Sequence, residues 1–174
     1  NAAALGADPA RTVIAGASAG GGLAAGATLL ARDRHGPALT ASLLMYPMLD
    51  DRNDTVSSWQ MQGIGAWDRT SNLTGWSALL GDRRGTDDVS IYAAPARADD
   101  LSGLPPTYID VASAEVFRDE DVAYASRIWA SGGIAELHVW PGGFHGFDSV
   151  APHARLSRAM TETRNRWLAR MLEP

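Results

Sequence analysis

Thr12-Val13-Ile14-Ala15-Gly16-Ala17-Ser18-Ala19-Gly20-Gly21-Gly22-Leu23 decides how the rest of this chain is read. Residues 11–15 are short, β-branched and apolar, the habit of a buried strand, and they run into a glycine-rich turn. An alanine- and leucine-rich segment follows to about His35 and predicts a helix. Gly16-Ala17-Ser18-Ala19-Gly20 fits G-x-S-x-G, in which a serine sits on a strained strand-to-helix turn and bulky neighbours would collide. Small flanking residues leave the hydroxyl exposed, and the following helix aims its first amides and positive dipole end at it. The Ala19 N–H is thereby placed to stabilise a developing oxyanion. A glycine-rich phosphate-binding turn is the competing explanation, but no Lys follows to complete a P-loop and G-x-G-x-x-G is not matched there.

Moving outward, residues 41–46 form a continuous apolar run stopped by Pro47, as expected of a strand covered on both faces. Residues 107–111 and 135–140 repeat that pattern. Between them, residues 120–131 carry Val122, Ala125, Ile128 and Trp129 at helical spacing before Gly132-Gly133. From Arg155 to Leu172, Leu156, Met160, Trp167 and Met171 share one face and arginines the other, so an amphipathic helix is predicted. Strands alternating with helices imply an α/β fold with a mostly parallel sheet and helices on both faces. Residues 50–100 break the alternation with polar, Gly-, Asp- and Arg-rich sequence dotted with Trp59, Trp67 and Trp76, read here as a partly helical lid over a pocket. The whole chain, 1–174, is otherwise one domain.

Composition bounds the function. With 45% hydrophobic residues among 174, the chain can enclose a core, and its net charge of −5 includes no basic stripe for nucleic acid. No apolar run reaches the roughly 18 to 20 residues of a membrane span. The absence of cysteine excludes disulfides, a thiolate nucleophile and cysteine-ligated metals. No metal or cofactor is called for. A cytoplasmic setting is the default expectation, although the chain opens Asn1-Ala2-Ala3-Ala4 rather than with methionine and reads as beginning partway through a unit.

A serine hydroxyl becomes nucleophilic only when a base takes its proton, so a histidine is required on another loop at the same sheet edge. Among four histidines, His145 stands out in Pro141-Gly142-Gly143-Phe144-His145-Gly146-Phe147, directly after a predicted strand. His35, His138 and His153 read as structural. The third group must fix the imidazole, and Glu115, just beyond the 107–111 strand, occupies the place between serine and histidine. Asp148 is the alternative acid. Asp110 lies within the strand, and Asp119, Glu120 and Asp121 read as favourable charges on a helix's first turn. The doublets Asp50-Asp51, Asp87-Asp88 and Asp99-Asp100 read as solvated loop charges rather than paired acids for glycoside hydrolysis.

Together these residues resemble the hormone-sensitive-lipase family of α/β-hydrolases, which includes many bacterial carboxylesterases. The resemblance rests on the serine turn 16–21, Tyr46-Pro47, Leu104-Pro105-Pro106, Arg118-Asp119-Glu120 and His145-Gly146-Phe147, in that order over nearly the whole chain. It implies Ser18 as nucleophile, His145 as base and Glu115 as acid in a serine-dependent carboxylesterase or lipase acting on a small acyl ester without a cofactor. A thioesterase or peptidase of the same fold is chemically close. A ligand-binding module, as in the plant gibberellin receptors that resemble the family, is the other class; those receptors lack the histidine kept here. The family also carries an HGGG-type segment before the serine turn that supplies further oxyanion donors, and this chain has none. The expectation is that it lies upstream together with the first strands of the sheet. The serine strand would then be an open edge, covered by another polypeptide or a preceding segment, with a homo-oligomer as one form of cover. A piece without those donors would be weak or inactive alone.

Overall fold

The computed structural model describes residues 3–173; the opening residues Asn1 and Ala2, with the reading placed on them, lie outside the described residues. Four strands form one parallel sheet in the order of the sequence: β1 (Val13–Ala17), β2 (Ala41–Met45), β3 (Thr107–Ala114) and β4 (Ala135–Phe144). Helix α1 (Ala19–Asp33) connects β1 to β2. Between β2 and β3 lie α2 (Val56–Gln60) and α3 (Arg69–Leu80); α4 (Arg118–Ala130) joins β3 to β4, and α5 (Phe147–Val150) and α6 (Arg155–Leu172) follow.

Side-chain alternation along the strands builds two layers of core. Leu44 of β2 and Ile109 of β3 pack against Ala25 and Leu29 of α1 and against Tyr124 and Ile128 of α4. Their neighbours Leu43 and Tyr108 point the opposite way and meet Trp167 of α6. The central strands are thus covered on both faces, which is why they read as unbroken apolar runs. On α4, Tyr124 takes the buried position that spacing assigned to Trp129; the latter lies outside, its indole N–H donating to the Ala135 carbonyl at 2.9 Å.

β1 lies at one edge with β2 as its only strand partner among the described residues, and its side chains are partly exposed where those of β2 are buried. Helix α1 approaches the segment after β2 and the one before β3 more closely than side chains permit. A Cβ on Gly22 would fall inside van der Waals contact with the Met48 carbonyl oxygen, and one on Gly26 would do the same with the carbonyl of Tyr92.

Two strands run further than their apolar sequence. β4 continues through Pro141-Gly142-Gly143 to Phe144, where a loop was expected. It is an edge strand among the described residues, so the missing N–H of Pro141 can be accommodated. The register with β3 shifts between Ala112 and Ala114, Gly142 takes a positive φ of 77°, and its N–H donates to Ser113 Oγ at 2.8 Å. This bulge carries the strand past its apolar part and delivers His145 at its end.

Charges read as solvated are in several cases buried. Asp51 is fully buried and paired with Arg97, and Asp50 is paired with Arg52, while Asp87, Asp88, Asp99 and Asp100 are exposed. Glu120 and Asp121, in the first turn of α4, are buried as well. Glu120 accepts the amides of Leu49 and Asp50 at 2.7 and 3.2 Å and so ties α4 to the segment after β2. Asp121 has no partner for either oxygen among the described residues. A first-turn carboxylate gains about 0.3–1 kcal/mol from the helix dipole, whereas burying an ion costs several kcal/mol. Burial wins, and with Glu120, Glu115 and Asp110 nearby it holds the Asp121 carboxyl well above its ordinary value.

The sign of the resulting pH effect follows. A folded pKa raised above the unfolded value near 3.9 leaves stability intact below that value and removes it as pH rises towards the folded pKa, by at most about 1.4 kcal/mol per pH unit. Asp121→Asn is therefore expected to melt above the wild type at pH 7 and to converge with it near pH 4. Melting curves of both proteins from pH 4 to 8 check this; a gap that widened on acidification would oppose it.

Candidate active site

Each of the four strands ends where a site residue begins. Ser18 follows β1, Tyr46 follows β2, Glu115 follows β3 and His145 follows β4. In a parallel sheet all carboxyl ends point the same way, so this register alone gathers the four side chains at one edge.

Ser18 has φ 56° and ψ −124°, a conformation that L-residues avoid. Neighbouring hydrogen bonds hold it there: its N–H donates to the Met45 carbonyl at 2.9 Å, and its own carbonyl accepts from Met48 at 3.0 Å and Gly22 at 3.1 Å. Gly16 completes the turn, since a Cβ there would overlap the backbone of Gly20. Ala19 is the first residue of α1, so its N–H has no acceptor within the helix and stands beside the serine at the positive end of the dipole.

Ser18 Oγ lies 3.0 Å from His145 Nε2, and His145 Nδ1 is hydrogen-bonded to Glu115 Oε1. The Glu115 side chain is fully buried and that of His145 nearly so. Burial pushes the Glu115 carboxyl above its ordinary value, opposed by its hydrogen bond and attraction to His145. With Glu115 accepting from Nδ1, the tautomer is fixed with Nε2 free to accept the serine proton.

The structure thus brings Ser18, Glu115 and His145 together, with Ala19 beside them. Asp148 is elsewhere. Its carboxylate accepts from Arg164 Nη1 at 2.6 Å and from the Tyr46 hydroxyl at 3.2 Å. Arg164 also grips Asp110 with Nε at 2.6 Å and Nη2 at 2.9 Å, and the Tyr108 hydroxyl donates to the same Asp110. Burial works against the Arg164 cation, but these carboxylates more than offset it and raise its pKa. His138 meets Glu136 and stacks on Trp140, whereas His35 and His153 are exposed.

Three aromatic residues given no individual role from the sequence surround the imidazole. Tyr46 and Phe117 meet it edge-on with ring centroids at 5.1 and 5.3 Å, and Trp67 lies tilted at 6.1 Å. They limit both the ring's rotation and its contact with water. Tyr46 was within reach of sequence reasoning, as the residue immediately after a buried strand and before Pro47. Of the three tryptophans in residues 50–100, Trp76 is buried, Trp67 is half-buried and Trp59 is exposed beneath the Arg69 guanidinium at 3.6 Å. Among the described residues, no cluster of three or more acidic or histidine side chains is placed to hold a metal ion, and no helix is long and apolar enough to cross a membrane.

Known proteins are similar to this chain in sequence and in fold. A family profile described as the alpha/beta hydrolase fold matches residues 1–149. Carboxylesterase NlhH of Mycobacterium tuberculosis is 35% identical over 170 residues, covering 87% of this chain and 48% of that protein. Esterase LipI of the same organism is 34% identical, covering 94% of this chain and 50% of its own length. Among solved structures, a bacterial heroin esterase superposes with a TM-score of 0.96 at 40% identity, over 99% of this chain and 55% of the other. The chain spans about half the length of the curated relatives it matches. A serine turn on the first strand, a sheet in sequential order and relatives of this kind agree on one assignment: the chain belongs to the α/β-hydrolase fold family, in its hormone-sensitive-lipase-like group.

Proposed function

We propose that the intact protein is a serine-dependent carboxylic ester hydrolase that works through an acyl-enzyme. One observation carries the reading: the hydrogen-bonded chain Ser18 Oγ, His145, Glu115, anchored on a buried carboxylate and next to a helix-terminal amide. The esterase names of the relatives support it.

In this mechanism His145 Nε2 removes the Ser18 proton as Oγ attacks the ester carbonyl. Negative charge gathers on the carbonyl oxygen, where the Ala19 N–H meets it, and Glu115 stabilises the imidazolium. The tetrahedral species collapses by breaking the bond to the alcohol oxygen, which leaves with the proton held on Nε2. Water then attacks the acyl-enzyme, passing its proton to His145, and the acid leaves as the proton returns to Ser18. The chain's own groups do all the proton handling, so no cofactor enters a step. Further oxyanion donors, and cover for the exposed edge of β1, are expected from the remainder of the enzyme or from a second chain.

Mass spectrometry after exposure of the full-length enzyme to a fluorophosphonate tests this. Wild type is expected to gain one phosphonyl adduct on Ser18, with none on Ser18→Ala and labelling slowed by more than 100-fold in His145→Ala. An unlabelled Ser18 in a folded wild-type enzyme would make the turn structural and turn attention to ligand binding without turnover.

A further inference from the structure

Tyr46 has φ 37°, in the left-handed region that a bulky residue rarely adopts. Such a conformation persists only where the surroundings over-determine it, and it directs attention to what those surroundings do. The Tyr46 N–H donates to the Asp110 carbonyl at 2.6 Å, and its hydroxyl donates to Asp148 Oδ1 at 3.2 Å. The Arg164 guanidinium lies 5.4 Å from its ring centre, and the ring's other neighbour is the His145 imidazole, met edge-on.

Arg164 closes the figure by donating to Asp148 Oδ2 and to both oxygens of Asp110. Tyr46, Asp148, Arg164 and Asp110 thus form a closed circuit of hydrogen bonds that joins the chain just after β2 to α5, α6 and β3. The tyrosine, Asp110 and Arg164 are all buried.

His145 stands against this circuit. It lies between the last residue of β4 and Gly146, whose φ of 68° turns the chain into α5, and Asp148 is in the first turn of that helix. The bond to Glu115 holds the imidazole at Nδ1, and a ring held at one atom can still swing about it. Alignment matters, since a misplacement of about 1 Å can cost about 10²-fold in rate. Asp148 does not bond to His145: one of its oxygens accepts from Tyr46 and the other from Arg164. What it can do is pin the tyrosine that walls the imidazole to the turn that carries the imidazole.

We propose that the Tyr46 hydroxyl and the Asp148 carboxylate act as one positioning pair for His145, locking the aromatic wall and the histidine-bearing turn together so that Nε2 stays aligned with Ser18 Oγ. The proposal rests on the ester-hydrolase reading above. Its test uses the intact enzyme, p-nitrophenyl butanoate, and the variants Tyr46→Phe, Asp148→Ala and the two combined. Tyr46→Phe keeps the ring against the imidazole and removes only the bond to Asp148. Each single variant is expected to lower kcat by about 10- to 100-fold with KM little changed, and to slow fluorophosphonate labelling of Ser18 by a similar factor. The double variant should lose no more than the worse single one, as expected of two groups that share one interaction. Asp148→Asn, which keeps an oxygen for the hydroxyl, should recover most of the activity lost in Asp148→Ala. Melting curves establish that each variant is folded under assay conditions, and Tyr46→Phe alone decides the question if Asp148→Ala does not fold. A folded Tyr46→Phe enzyme with wild-type kcat and wild-type labelling would overturn the proposal. So would losses that multiply in the double variant, or a raised KM at unchanged kcat, which would place Tyr46 against the substrate instead. An unlabelled Ser18 without ester turnover in the wild type would remove the ester-hydrolase reading itself, and the role of the pair with it.

Discussion

His145→Ala in the intact enzyme is expected to lower kcat by about 10⁶-fold, the loss typical when the base of such a unit is removed. Ser18→Ala should cost as much, and the double variant little more, because each alone already disables the same proton transfer. Glu115→Gln is the more informative change. Glutamine keeps the shape of the buried side chain, but its amide can donate to Nδ1 and favour the tautomer that leaves Nε2 protonated and unable to accept from Ser18. A loss of about 10⁴-fold in kcat is expected, with KM little changed because Glu115 is buried beneath the imidazole rather than facing the substrate. Steady-state kinetics on the best ester substrate checks both points. A Glu115→Gln variant within tenfold of wild type would remove Glu115 from its role and reopen the question of the acid.

Arg164→Met is expected to destabilise the protein by about 3–5 kcal/mol, the range found when one member of a buried ionic network is removed. The arginine is paired to both Asp110 and Asp148, and Asp110 is fully buried, so its loss strands carboxylates that have no other cation in reach among the described contacts. At about 2–4 °C per kcal/mol for a domain near this size, the melting temperature should fall by roughly 6 to 20 °C. Arg164→Lys keeps a charge but not the two-pronged grip on Asp110, and should fall between. Pairing Arg164→Met with Asp110→Asn and Asp148→Asn should recover part of the loss, because the stranded charge rather than the missing contact is the larger penalty. A drop below about 1 kcal/mol would mean that water reaches these carboxylates once the arginine is gone.

How much of this was legible in the sequence depended on the distance over which each residue's environment is decided. The two central strands could be read because a strand covered on both faces is largely apolar along its length, as residues 41–46 and 107–111 are, while β1 and β4 were legible from short apolar runs bounded by glycine-rich turns. The ordering of Ser18, Glu115 and His145 after their strands was equally local, and the parallel register then brought them together. Buried charge is different. Asp51 is satisfied by Arg97, 46 positions away, and Asp110 by Arg164, 54 positions away, so nothing near either aspartate distinguishes it from a solvated one. Arg164 itself sits between Met160 and Trp167 on the buried side of α6, where an amphipathic pattern assigns arginine to water. The enclosure of His145 by Tyr46, Phe117 and Trp67 draws on three separate segments and had no local signature.

Glycines of β1 and α1 also constrain how this chain can change over generations. Where a new side chain would strike another side chain, a second substitution can shrink the neighbour and restore the fit. At Gly16, Gly22 and Gly26 the obstruction is the carbonyl of Gly20, Met48 or Tyr92, which every amino acid carries alike. Trimming a neighbouring side chain cannot relieve such a clash; the backbone itself has to move. The face of α1 behind Ser18 therefore admits no side chain at these positions, whereas a Cβ on Gly75 would meet only the ends of two side chains.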